Sequence, residues 1–103
     1  MHVHSTSYEN SRVATNKPAR LRSVWGYNSK TAAQFIQIHD ATSVPNDGAV
    51  PVVTIYVAAE SNFSIEFDDP GITMVNGIVV CNSSTGATKT IGSNDCWFNI
   101  SFL

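Results

Sequence analysis

The stretch from Asn76 to Phe102, NGIVVCNSSTGATKTIGSNDCWFNISF, decides the fold class of this chain. Its first part is an apolar run, Ile78 to Cys81, that follows an Asn-Gly turn. Its last part alternates strictly between apolar and polar residues from Cys96 to Phe102, and a period of two is typical of a half-buried strand. The residues between them are mostly small and polar, so the stretch predicts two antiparallel strands around a polar loop.

Segments with strand patterns also fill the sequence upstream of this stretch. Turn signals separate them, and the strongest signal is Asp68-Asp69-Pro70-Gly71. The predicted strands are Leu21–Tyr27, Ala33–Asp40, Val50–Val57, Asn62–Phe67 and Thr73–Val75. With no amphipathic helical pattern, we predict an all-β fold, an antiparallel β-sandwich or jelly-roll of about six or seven strands.

Residues 1–19 lack any periodic pattern, and Lys17-Pro18 disfavours helix at their end. We therefore predict a flexible, extended N-terminal arm over residues 1–19 and a β-sandwich domain over residues 20–103. Residues 1–22 carry four basic side chains against Glu9, whereas the remainder carries two basic against seven acidic side chains. A basic arm on an acidic body predicts contact with an acidic partner, through Arg12, Lys17, Arg20 and Arg22. So few cations make nucleic acid a poor candidate.

The segment from Val50 to Val57 is apolar on both faces apart from Thr54. Such a strand is either central in its sheet or covered by a neighbouring subunit. The segment therefore predicts a subunit-interface strand, with the contacts made by Val50, Val52, Val53, Ile55 and Val57.

Cys81 and Cys96 would lie close together if residues 83–94 formed a simple hairpin loop, and a disulfide would then be geometrically possible. The polar N-terminus shows no secretory signal, however, and free cysteine is usually buried. We expect two buried thiols in a protein that stays in the compartment where it is made.

The candidate metal-binding and catalytic sites in the sequence each lack a required residue or the required geometry. His2 and His4 lack a third ligand for a metal. His39 and Asp40 are adjacent in a predicted strand and so point to opposite faces, which disfavours a hydrolytic triad. We expect no catalytic residue, cofactor or metal, and hence no enzyme.

The larger aromatic side chains have two interpretations. In a small β-domain they usually pack in the core or at a subunit interface. The alternative is a sugar-stacking platform made by Trp25, Tyr27, Tyr56 and Trp97.

Three segments also carry a resemblance: AAQFIQIHD at 32–40, VPNDGAVPV at 44–52 and NGIVVCNSSTGATKTIG at 76–92. In the residues of these segments and in their order along the chain, about residues 24–99 resemble small all-β structural proteins of tailed-bacteriophage virions. The proteins they resemble are capsid decoration or cement proteins. The resemblance implies a non-enzymatic virion protein, made in the host cytoplasm, that self-associates as a homotrimer and binds the major capsid protein. No nucleic acid or membrane is expected as a partner. A neck or tail component, or a host-surface glycan-binding module, is the alternative.

Overall fold

Nine strands build the protein, and the computed structural model, which describes residues 1–103, contains no helix. The strands pair into two antiparallel sheets that pack face to face, so the prediction of an all-β sandwich is confirmed. The strands are β1 (His2–His4), β2 (Ser11–Thr15), β3 (Ala19–Asn28), β4 (Gln34–His39), β5 (Val53–Val57), β6 (Ser61–Glu66), β7 (Ile72–Met74), β8 (Ile78–Ser83) and β9 (Cys96–Phe102).

Sheet A has the order β1-β9-β3-β6, and β7 also pairs with β3. The ten residues of β3 pair with β9 on one side. On the other side they pair with β6 along residues 23–28 and with β7 along residues 19–21. Strands β6 and β7 therefore follow one another along a single edge, separated by the predicted turn at residues 68–71.

Sheet B has the order β2-β8-β4-β5. Alternate side chains of both sheets point into one core, which includes Ile36, Ile38 and Val80 from sheet B and Phe98 and Ile100 from sheet A. Full burial of a side chain of this kind stabilises the fold by about 1.5–3 kcal/mol. The strict alternation of β9 therefore places its apolar residues inside and leaves Trp97, Asn99 and Ser101 on the outer face.

Gly26 allows the central strands of sheet A to pair closely. A Cβ atom at this position would collide with the carbonyl oxygen of Trp97 and with the ring of Phe63. Gly26 is therefore a regular β3 residue, paired with Phe98, at which no side chain fits.

The N-terminal arm predicted over residues 1–19 is not found. Strand β1 pairs with β9 in sheet A, and β2 pairs with β8 in sheet B. The terminal amine of Met1 also donates to the carbonyl of Phe102 at 2.7 Å. Residues 1–19 thus supply an edge strand to each sheet, and these two strands account for the excess over the predicted six or seven. They are held by backbone pairing rather than by an apolar pattern, which is why the prediction was wrong.

The predicted hairpin of β8 and β9 is also wrong, because these strands lie in different sheets. The loop between them lies over the outer face of sheet B, where Gln37, Val79 and Cys81 share the side opposite to the core. The side-chain amide of Gln37 donates to the carbonyls of Thr85, Gly86 and Thr88 at 2.9–3.1 Å. The two middle strands of sheet B, β4 and β8, are therefore covered on both faces around Gln37, Val79 and Cys81.

Candidate functional site

The outer face of sheet A is exposed, in contrast to the outer face of β4 and β8 in sheet B, which the loop covers. Directly opposed residues of antiparallel strands share a face, so the register defines three rows of side chains here. The rows run across β1, β9, β3 and β6 as His2-Ser101-Ser23-Glu66, then His4-Asn99-Trp25-Ser64, then Trp97-Tyr27-Asn62 from β9 onward. We call these side chains, together with Tyr8, the aromatic face.

Aromatic contacts organise this surface. The ring of His2 stacks on Trp25 with centroids 5.3 Å apart and planes inclined by 8°. Tyr8, from the segment between β1 and β2, makes an edge contact with Trp97 at a centroid distance of 6.0 Å. Trp25 nevertheless keeps 37% of its surface exposed. The segment predicted as an arm therefore completes the aromatic face.

Hydroxyls and amides surround these rings. The side-chain oxygen of Asn99 accepts a hydrogen bond from the His2 ring, and its amide nitrogen donates to the Trp25 carbonyl, both at 3.4 Å. Glu66, at one corner, is the only carboxylate in the three rows, which contain no lysine or arginine. Arg22 lines a cleft at the same corner together with Ser23, Glu66 and Ser101. The surface thus combines exposed ring faces with uncharged hydrogen-bonding groups.

Sequence reasoning grouped three of these aromatic residues correctly, Trp25, Tyr27 and Trp97. Tyr56 is not part of the face, because it lies on β5 in sheet B, edge-on to Phe35. His2, His4 and Tyr8 were missed as members because residues 1–19 were assigned to an arm. The available signal was the spacing of His2 and His4, because residues two apart in a strand lie on the same face.

The predicted interface strand lies at the edge of sheet B, so its interpretation as a central strand is wrong. Val50 and Val52 precede β5 and are 75% and 51% exposed. Val53 and Ile55 are half-buried against the core, and Val57 belongs to it. Strand β6 forms the edge of sheet A on the same side of the sandwich, and an open cleft of about 500 Å³ lies between the two edges, lined by residues 55–58 and 61–65.

The four predicted partner-contacting cations do not form one group. Arg12 on β2 makes a two-pronged ion pair with Glu9, at 2.9 and 3.0 Å. Arg22 on β3 lies 3.8 Å from Asp69. Lys17 and Arg20 are exposed and have no ion-pair partner. Only the latter two cations are therefore unpaired.

The two cysteines are free and buried, which confirms the prediction of thiols. Cys81 lies on the outer face of sheet B under the loop, whereas Cys96 lies in the core on sheet A. Burial raises the pKa of Cys81 to about 11 and that of Cys96 to about 12. At neutral pH both remain protonated and are poor nucleophiles.

His39 and Asp40 have separate surroundings. The His39 ring is 3.1 Å from the side-chain oxygen of Gln37, and burial followed by the charge of Lys89 lowers its pKa. The Asp40 carboxylate accepts hydrogen bonds from the backbone amides of residues 75–77. No group of three or more His, Cys, Asp or Glu side chains is arranged to hold a metal ion.

The fold and the aromatic face define a small all-β sandwich with one sheet surface open for contact. No family model, no curated protein and no solved structure matches the chain. No helix of the structure is long and apolar enough to span a membrane.

Proposed function

We propose that this chain is a non-enzymatic structural protein of a bacteriophage virion, a decoration or cement protein that binds the head surface and stabilises it. The resemblance of residues 24–99 to such proteins supports the assignment. The structural observation that supports it best is the pair of unpaired sheet edges, β5 and β6, on one side of the sandwich.

An unpaired strand edge presents backbone donors and acceptors that a partner can satisfy. Beside this edge, Val50, Val52 and Tyr56 are exposed, and the cleft between β5 and β6 is lined largely by apolar side chains. Contacts of this kind between copies bury apolar area, which drives association. We propose a homotrimer built through this side, an arrangement suited to the threefold positions of an icosahedral shell.

The attachment mechanism in this proposal is thermodynamic. A protein that binds only the assembled shell stabilises the shell by mass action, without any chemical step. The major capsid protein is the proposed partner. Lys17 and Arg20 are the cations free to contact an acidic surface on it, because Arg12 and Arg22 already face carboxylates.

The test uses particles of the parent phage from which this gene has been deleted. We expect purified protein to bind them at many symmetry-related sites in a cryo-electron map and to raise their temperature of disruption. Density confined to a single vertex or to the tail would instead favour the neck or tail component. Complete failure to bind any part of the particle would refute a virion role.

A further inference from the structure

We infer that the aromatic face of sheet A binds a neutral polysaccharide. This inference does not rest on the proposed virion role, because its central observations are the rings of β3 and β9. Strand β6 borders both this face and the side proposed for self-association. Large exposed aromatic surfaces mark interaction sites, and the face carries two exposed or half-exposed indoles, Trp25 and Trp97. The flat, apolar side of a pyranose ring stacks on an indole, while its hydroxyls point outward to polar neighbours.

The spacing of the rings suits an oligosaccharide. Trp25 pairs with Asn99, and Trp97 precedes Asn99 by two residues on the same strand. The two tryptophans are therefore diagonal neighbours on adjacent strands, with Cα atoms about 7–8 Å apart. The ring of Tyr27 lies directly across from Trp97. One short sugar chain can thus contact several rings of the face at once.

The polar groups of the face match the same ligand. Ser64, Asn99 and Asn62 flank the rings with hydroxyl and amide groups that both donate and accept hydrogen bonds. A bound sugar displaces the water hydrogen-bonded to these groups, and its hydroxyls can donate and accept hydrogen bonds in place of that water. An apolar protein surface would leave these groups unpaired at a cost in free energy, which argues against a second copy as the occupant.

Charge narrows the ligand class further. The residues paired with Trp25, Tyr27 and Trp97 include no lysine or arginine that could bind sulfate, uronate or sialic acid groups beside the rings. Arg22 lies at the far corner, where it shares a cleft with Glu66 and is 3.8 Å from Asp69. A neutral polysaccharide is accordingly preferred over an anionic one. Its binding should be nearly independent of ionic strength, because screening acts only on charges.

The experiment is native affinity electrophoresis in gels that contain dextran, mannan, galactan or xyloglucan, with chondroitin sulfate as the anionic comparison. We expect at least one neutral polysaccharide to retard the protein equally from about 0.05 to about 0.5 M NaCl. Trp25→Ala and Trp97→Ala should each weaken binding roughly tenfold or more. The matched control is Val75→Ala, since Val75 is an exposed apolar residue that belongs neither to the face nor to the side formed by β5 and β6.

A second measurement needs no variant. The chain contains only two tryptophans, and both lie on the aromatic face. Titration of the unmodified protein with the retarding polysaccharide should therefore change its tryptophan fluorescence. Retardation by none of the neutral polysaccharides, or by chondroitin sulfate alone, overturns the inference. So does binding that leaves the fluorescence unchanged, or Trp25→Ala and Trp97→Ala variants that bind normally.

Discussion

The ammonium group of Lys89 lies 2.9 Å from the carboxylate of Asp47, although the lysine side chain is 3% exposed and the aspartate 55% exposed. The same carboxylate accepts from the amide of Ile91 at 3.1 Å. The hydrogen bond from Lys89, followed by that from Ile91, lowers the pKa of Asp47. An exposed carboxylate in the loop before β5 thus balances a buried cation in the loop over sheet B.

Removing the two partners of this ion pair should have unequal effects. Asp47→Asn leaves the buried Lys89 ammonium without its counter-charge, which is costly. Lys89→Met removes the buried charge and leaves Asp47 in contact with water. We expect Asp47→Asn to lower the thermal midpoint by several degrees and Lys89→Met to lower it less, as measured by calorimetry at neutral pH. If Lys89→Met lowered the thermal midpoint more than Asp47→Asn, the buried ammonium would not be the partner that depends on its counter-charge.

Asp40 should make stability depend on pH in the acid range. Burial alone would raise its pKa, but hydrogen bonds from the amides of Asn76, Val75 and Gly77 outweigh that effect and hold the pKa below its ordinary value of 3.8. The stabilisation is therefore present above pH 3.8 and is lost as pH falls through the lower, folded-state pKa.

The variant that tests this is Asp40→Ala. Because the carboxylate is screened by solvent, its loss should reduce the free energy of unfolding by only about 1 kcal/mol near neutral pH. The difference from the unmodified protein should shrink in acid. Asp68→Ala is the control, since Asp68 is exposed and its side chain makes no hydrogen bond. Denaturant unfolding across a pH series measures both, and equal effects would contradict the assignment.

The sequence predicted the seven strands of residues 19–102 because apolar alternation or a short apolar run between turns marks each of them. The alternation of Cys96 to Phe102 matches the burial of β9 residue by residue. Strands β1 and β2 escaped prediction because they are short edge strands with few apolar side chains. Their stability comes from pairing with β9 and β8, and no local pattern encodes those partners.

The course of the loop after β8 could not be predicted for a similar reason. Small polar residues occur equally in a hairpin loop and in a loop that passes from one sheet to the other. The hydrogen bonds from Gln37 that hold this loop over sheet B join residues far apart in sequence, so no local pattern shows them. Part of the aromatic face could be predicted, because the alternation of β9 places Trp97 on the outer face and Phe98 in the core. Its completion by His2 and Tyr8 depends on the position of β1, which only the fold provides.

The thiols should be unreactive in the native protein. With pKa values raised to about 11 and about 12, Cys81 and Cys96 hold almost no thiolate at pH 8. We expect no labelling by iodoacetamide in buffer, complete labelling of both in denaturant, and no change in thermal stability on reduction. Ala87→Cys, at an exposed loop position, is the control that should label rapidly. Mass spectrometry gives the result, and labelling of neither cysteine in denaturant would reveal a disulfide.

Self-association should depend on the side of the sandwich formed by β5 and β6. We expect the purified protein to be a trimer in light scattering, and Val52→Glu combined with Tyr56→Glu to reduce it to monomers, because charges beside an apolar interface oppose its burial. Val75→Glu introduces one such charge at an exposed apolar residue between β7 and β8, and should leave the trimer intact. A monomeric unmodified protein, or dissociation by Val75→Glu, would contradict this arrangement.

The last prediction concerns charge at the attachment surface. Exposed contacts between charges are screened over about 8 Å at physiological salt, so attachment through cations should weaken as ionic strength rises. Lys17 and Arg20 are unpaired, whereas the charge of Arg12 is already balanced by Glu9 at 2.9 Å. The double change Lys17→Ser and Arg20→Ser should therefore reduce occupancy on gene-deleted particles and flatten its dependence on salt.

Arg12→Ser is the matched control for that experiment, and it should alter attachment little. Occupancy is measured from the protein that sediments with the particles across a salt series. If attachment is insensitive to salt and survives the double change, the cations do not hold the protein on the shell. The contact would then have to be apolar, and the exposed valines that precede β5 would be the first residues to substitute, because they are accessible without unfolding the sandwich.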